Sequence, residues 1–370
     1  MDNRVMKKIS FLIVGSGWRS LYYVRIARAL PQLFEVCAML CRKQEKAKQI
    51  EENCHIRTSL SEEECEAMHP DFVVVAVDKA HIKEVTLHWA KKGFAVLGET
   101  PAAMDEAALC ELWKAYLEGR KIIFAEQYHR YPINIARKKL VDEGYLGKTD
   151  YLYLSLAHEY HGISLMRRFL NIDVNEVFKV CAKQFSFDVK KTLDRCQKYN
   201  DGSVRQSPRS LALFEFNSGK LCSYDFDSEQ YRSLIRNDSY RLQGVNGELF
   251  NDELCWIDEN NQAQREKFRI DKHIVMTGNE NPNLDHFEEI ERIAFEDQIL
   301  YEAPFQNCGL SQDETAIASL LCDMYDYAKN NAAEPYSLKE ALQDAYASIL
   351  LRKAIETGQT LQSEMMPWNI

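Results

Sequence analysis

Four short stretches carry residue types that can do chemistry. In "LIVGSGWRS" (12–20) an apolar run turns sharply at two glycines and leads into a helical pattern. Gly15 and Gly17 fill the first two places of G-x-G-x-x-G, followed by Trp18 and Arg19, with Ser20 at the third place. Such glycines let backbone approach a pyrophosphate, and the third place mainly sets helix–strand packing, which a small serine suits. In "FAVLGETPAAM" (94–104) an apolar run breaks at Gly98 and is followed by Glu99, Thr100 and Pro101. Strand ends of this kind are where α/β proteins place ligands. "AEQYHRYP" (125–132) sets Gln127, Tyr128, His129 and Arg130 beyond another strand end, and "AHEYHGIS" (157–164) carries His158, Glu159, Tyr160 and His161. His161 titrates in the useful range for general acid–base work, and Tyr128 is a second proton donor. Thr100 offers a hydrogen bond but no charge.

The second strand of a dinucleotide-binding unit should end in the residue that reads the ribose, often an Asp or Glu. Here "AMLCRK" ends in Cys41, Arg42 and Lys43. Arg42 would pair with a 2′-phosphate, so NADP is expected over NAD. Val77, closing "DFVVVAV" at the same edge, completes the expected cofactor-binding set. No metal site is expected, because His158 and His161 lack a third ligand. If this segment is the extended end of a strand, His158 and Tyr160 share one side and Glu159 and His161 the other.

These residues need a frame to hold them. The first third alternates strand patterns (9–15, 34–40, 71–77, 94–99, 121–128) with helical ones (20–30, 43–54, 83–93, 104–119). That alternation predicts a parallel, doubly wound sheet. A helix over 132–147 follows. Strands then come in series at 150–158, 177–188, 210–227, 240–250 and 253–259, with a "NSGK" hairpin turn at 217–220 and one helix at 162–170. This predicts an open, mostly antiparallel sheet. Helices over 313–331 and 337–358 close the chain. The expected division is a Rossmann domain over 1–128 and a substrate and oligomerisation domain over 129–370, with the last helices packing back on the first domain.

A chain of 370 residues, 28% charged and of net charge −10, argues against non-specific nucleic-acid binding. Eleven cysteines without a C-x-x-C pair read as reduced thiols. "MDNRVMKK" runs straight into an apolar strand, and no apolar run reaches the ~18 residues of a membrane span. A cytoplasmic protein without membrane partners is expected.

The motifs, in this order, resemble the Gfo/Idh/MocA oxidoreductases, the glucose–fructose oxidoreductase and inositol dehydrogenase family. "IVGSGWRS", "DFVVVAV", "VLGETPAA", "AEQYHRYP", "KKLVDEGYLGKTDYL", "HGISLMRRFL" and "ALQDAYASILLRKAIETG" carry the resemblance over nearly the whole chain. It implies a Rossmann domain followed by an open-sheet domain, a nicotinamide cofactor, a small sugar-like or carbonyl substrate, and a homo-oligomer formed through the sheet. It implies that Glu99 supports the cofactor, that Gln127 lies near it, and that His161 faces the nicotinamide from the second domain. Two departures stand out. The family's E-K-P motif reads Glu99, Thr100, Pro101 here, so the lysine that orients or protonates substrate is absent. The aspartates of D-x-G-x-H-x-x-D appear as Ala157 and Ser164, while the histidine persists as His161. The expected function is NAD(P)-dependent hydride transfer to or from a sugar-like, carbonyl or imine substrate with an altered proton donor. The alternatives are a non-catalytic Rossmann protein serving regulation or assembly, and a lyase or hydrolase that retains its cofactor.

Overall fold

The computed structural model describes residues 8–195, 197–279 and 281–369. The leader expectation concerns residues 1–7, which lie outside the described residues. In chain order the elements begin β1 (Ile9–Val14), α1 (Ser20–Ala29), β2 (Phe34–Leu40), α2 (Gln44–Cys54), β3 (Thr58–Ser59), α3 (Glu62–Glu66), β4 (Phe72–Val75), α4 (Ile82–Lys91), β5 (Val96–Gly98), α5 (Glu106–Leu117) and β6 (Ile122–Phe124). They continue with α6 (Pro132–Asp142), β7 (Thr149–Ser155), α7 (Glu159–Phe169), β8 (Phe178–Lys190), β9 (Val204–Phe216), β10 (Leu221–Asp227), β11 (Ser239–Gly244), β12 (Gly247–Phe250), β13 (Glu253–Ile257) and β14 (Ala263–Lys267). The last are β15 (Arg269–Met276), β16 (His286–Phe295), β17 (Gln298–Glu302), α8 (Gln312–Asn330), α9 (Leu338–Thr357) and β18 (Leu361–Gln362).

The chain divides into two compact units, residues 1–127 with 313–345, and residues 128–312 with 346–370. In the first, six parallel strands are ordered β3-β2-β1-β4-β5-β6. The order reverses between β1 and β4, which is the switch point where open α/β sheets bind ligands. Both faces are covered, so the central strands are apolar throughout: Phe11, Leu12, Ile13 and all of Phe72, Val73, Val74 and Val75 are fully buried. Each such side chain contributes about 1.5–3 kcal/mol by burial. The register pairs Val14 with Val75, Val75 with Gly98 and Gly98 with Phe124. Gly15, Ala76, Glu99 and Ala125 therefore follow in one row along the carboxyl edge.

In the second unit a sheet ordered β14-β13-β12-β11-β7-β10-β9-β8-β18 is antiparallel except for the β7–β10 pair. Its hairpin at Asn217–Lys220 places Gly219 at φ +84°, a conformation that glycine adopts without strain. The segment read as one strand over 240–250 is a hairpin, β11 and β12, turning at Val245 and Asn246. A three-stranded sheet β15-β16-β17 lies outside the sequence expectations. Its strand β15 mixes charged and apolar residues and is largely exposed, so no apolar run marks it.

Candidate nucleotide-binding edge and histidine cluster

The turn after β1 is built by close packing. Gly15 has φ +117°, and a Cβ there would lie 2.3 Å from the Ala76 carbonyl oxygen at the end of β4. Gly15 is thus required for β1 and β4 to end side by side. Gly17 differs: a Cβ would meet nothing within 4 Å. Its surroundings are open, as the approach of a pyrophosphate requires. No side chain caps the first turn of α1; its Leu21 and Tyr22 amides donate back to the Trp18 and Arg19 carbonyls at 3.2 and 3.1 Å. These features fit a dinucleotide. Ser20 is fully buried and its hydroxyl donates to the Ala76 carbonyl at 3.3 Å, so the third motif position packs helix against strand.

Arg19 crosses from this turn to the end of β5. Its Nε donates to Glu99 Oε1 at 2.8 Å and its Nη1 to Asp313 Oδ2 at 2.7 Å. Tyr23 donates its hydroxyl to the same Glu99 oxygen at 2.5 Å. Asp313, at the start of α8, also accepts from Gln127 Nε2 at 2.8 Å through its Oδ1. Burial alone would lower the Arg19 pKa; Asp313 and Glu99 outweigh it and raise the pKa well above the usual arginine range. Burial, then Glu99, pushes the Tyr23 phenol well up. Arg42 is exposed after β2 and makes no side-chain bond among the described residues. Cys41, the preceding residue, is buried and its backbone N–H donates to the Ser59 carbonyl. Val77 is half-buried; its Cγ1 would lie 3.2 Å from a Cβ at Gly15. Thr100 and Pro101 are half-buried and joined by a cis peptide.

In the second unit, α7 starts three residues before the helix expected at 162–170. His161 therefore lies in a helical first turn, which overturns the alternating sides expected for residues 158–161. The cause is long-range: Tyr231 accepts from the His158 backbone N–H at 2.9 Å and Tyr224 from that of Glu159 at 2.7 Å. Two phenols thereby take amides that the turn leaves free. His161 is buried against the Tyr128 ring, with centroids 4.4 Å apart, and beside His158 at 5.0 Å. Tyr128 opens a single 3-10 turn, Tyr128–Arg130, and stacks on Tyr131 at 4.8 Å. His158 Nδ1 and the Tyr231 hydroxyl are in direct contact. His129 is buried; burial first, then Arg168 and Arg130, drives its pKa well below the usual histidine value.

The structure thus brings together two of the expected proton-handling residues, His161 and Tyr128, and groups Arg19, Glu99 and Gln127 around one carboxylate network. Sequence reasoning missed Tyr23 and Asp313. Among the described residues, no three His, Cys, Asp or Glu side chains form a metal-binding group, the ten described cysteines are free thiols, and no helix is long and apolar enough to cross a membrane.

A parallel six-stranded sheet with a glycine turn at its switch point defines a Rossmann-type nucleotide-binding domain. Residues 9–127 match the model of the oxidoreductase family with an NAD-binding Rossmann fold, Gfo/Idh/MocA. Solved structures share the fold over almost the entire chain. Levoglucosan dehydrogenase in complex with NADH and levoglucosan superposes with a TM-score of 0.68 at 15% identity, covering 96% of this chain and 99% of that one. GenD2 from gentamicin A biosynthesis, in complex with NAD, gives 0.66 at 12% identity, covering 98% and 99%. Apo scyllo-inositol dehydrogenase from Lactobacillus casei gives 0.63 at 15%, covering 97% and 99%. No curated protein sequence matches the chain.

Proposed function

We propose that the protein is an NAD(P)-dependent oxidoreductase acting on a small sugar-like, carbonyl or imine substrate. The observation that carries this reading is the pair of glycines. Gly15 is demanded by packing, whereas Gly17 faces open space that packing does not explain. When bound, the cofactor would accept or deliver a hydride. Gly15, Gly17, Trp18 and Ser20 would form its pyrophosphate turn, with Arg19, Val77, Glu99, Thr100, Pro101 and Gln127 along the rest of the edge. Exposed Arg42 would take a 2′-phosphate, giving a preference for NADP.

Thr100 cannot hold a proton in the useful pH range, so the proton must move elsewhere. His161 is the general acid–base group we assign, exchanging a proton between its imidazole and the substrate oxygen or nitrogen. Tyr128, in ring contact with it, restricts its rotation and is the second donor. Thr100 contributes one hydrogen bond. A substrate whose acceptor bond is conjugated or imine-like needs less acid help and suits such a site.

The nine-stranded sheet exposes Phe185, Phe187 and Leu211, which supports a homo-oligomer formed through it. The protein is proposed to work in the cytoplasm, without nucleic-acid or membrane partners. The test is stopped-flow absorbance of bound cofactor against a panel of sugars, inositols, ketones and cyclic imines. Cofactor turnover with one class supports the enzyme. Tight cofactor binding without turnover on any class favours the regulatory or assembly reading.

A further inference from the structure

Two polar side chains at the carboxyl edge of the first unit, Glu99 and Gln127, are held in place and yet leave acceptor atoms unused. Both donors to Glu99, Arg19 Nε and the Tyr23 hydroxyl, converge on Oε1, and Oε2 takes no bond among the described residues. Gln127 is 4% exposed; its Nε2 is spent on Asp313, and its Oε1 is buried with no partner. The amide cannot be turned over to relieve this, because that would set its oxygen against the Asp313 carboxylate. Native proteins rarely leave a buried acceptor unpaired unless something absent pairs with it.

One side chain fixes both. Arg19 grips Glu99 with Nε and Asp313 with Nη1, and the other oxygen of Asp313 grips Gln127. The guanidinium geometry makes this bridge directional, which an ammonium would not reproduce. The ends of β5 and β6, which carry Glu99 and Gln127, belong to the half of a Rossmann sheet that takes the second nucleotide.

We propose that Arg19 is a positioning residue for the nicotinamide riboside half of the dinucleotide. It holds Glu99 Oε2 as an acceptor for ribose hydroxyls and, through Asp313, Gln127 Oε1 as an acceptor for a carboxamide or hydroxyl donor. The proposal rests on the dinucleotide reading above. It assigns to the second residue between the glycine turn and α1 a task away from the pyrophosphate.

The experiment is calorimetric titration of the full chain with ADP and with NADH and NADPH, using wild type, Arg19→Ala, Arg19→Lys and Asp313→Asn. ADP carries the adenosine and pyrophosphate but no nicotinamide riboside. Arg19→Ala should weaken the dinucleotide at least tenfold and ADP less than twofold. Arg19→Lys should not restore the affinity, since one ammonium cannot span both carboxylates. Asp313→Asn, which preserves side-chain size, should show the same split and carries the test if Arg19→Ala fails to fold by circular dichroism. Equal losses for ADP and dinucleotide would place Arg19 on the pyrophosphate or in the turn and overturn the proposal, as would no loss for either. A wild type that binds neither ADP nor dinucleotide would instead remove the dinucleotide reading itself, and this proposal with it.

Discussion

Gly15 sits so close to Ala76 that a Cβ on the glycine would lie 2.3 Å from the alanine carbonyl oxygen, whereas two residues later Gly17 faces open space. The two glycines of one motif therefore answer to different demands, folding and ligand. Gly15→Ala should lower stability, since backbone must shift and φ +117° is strained for alanine. Gly17→Val should leave the melting temperature near that of wild type but weaken dinucleotide binding at least tenfold, about 1.4 kcal/mol. Thermal denaturation alongside fluorescence titration checks both. Identical binding curves for Gly17→Val and wild type would exclude this turn as the site.

Cofactor choice is expected to hang on Arg42. Arg42→Ala should reduce NADP affinity much more than NAD affinity, because a charge-assisted contact to the 2′-phosphate is lost. Titrating both cofactors into both proteins decides it. Equal losses, or a wild type that prefers NAD, would refute the assignment.

His161→Ala should slow hydride transfer roughly 10²- to 10⁴-fold while leaving cofactor affinity nearly unchanged. Single-turnover rates across pH, with Tyr128→Phe measured beside them, separate the two candidates. Thr100→Lys should not create sugar-dehydrogenase activity, since Ala157 and Ser164 carry no carboxylate. If His161→Ala turns over at the wild-type rate, the proton passes through another group.

The buried His129 makes stability depend on pH. Its folded pKa is depressed by burial and by Arg168 and Arg130, so it stays neutral in the fold while the unfolded chain protonates near pH 6.5. Its contribution is present above that pH and is lost as pH falls below it, with a slope of up to about 1.4 kcal/mol per pH unit. His129→Gln should flatten urea-denaturation stability between pH 7 and 5. An unchanged slope in the variant would remove His129 as the source.

Much of the nucleotide-binding sheet was legible because its strands are buried on both faces and bounded by helices. "FEVCAML" corresponds to β2 from end to end. The two-residue β3 has no apolar run, and it pairs with β2 without one. The start of α7 was misread because the groups that take its free amides, Tyr224 and Tyr231, lie 65 and 73 residues away. The Arg19 network was invisible for the same reason: its partners Glu99 and Asp313 lie 80 and 294 residues along the chain. Periodicity reports which face of an element is buried, not which distant side chain meets it.

The nucleotide-binding unit draws its last piece from residues 313–345, and this affects how the protein is made. Arg25 of α1 pairs with Glu314, which is 1% exposed, and Lys121 before β6 donates to the carbonyls of Tyr327 and Ala328 in α8. Synthesis runs from the amino terminus, so β1 to β6 leave the ribosome well before these partners exist. A nascent chain that has reached Gln312 still displays the α8-binding surface, with Arg25 and Lys121 waiting for their acceptors. The interval in which this surface is open to chaperones, proteases or wrong pairings is set by the time needed to translate residues 128–328.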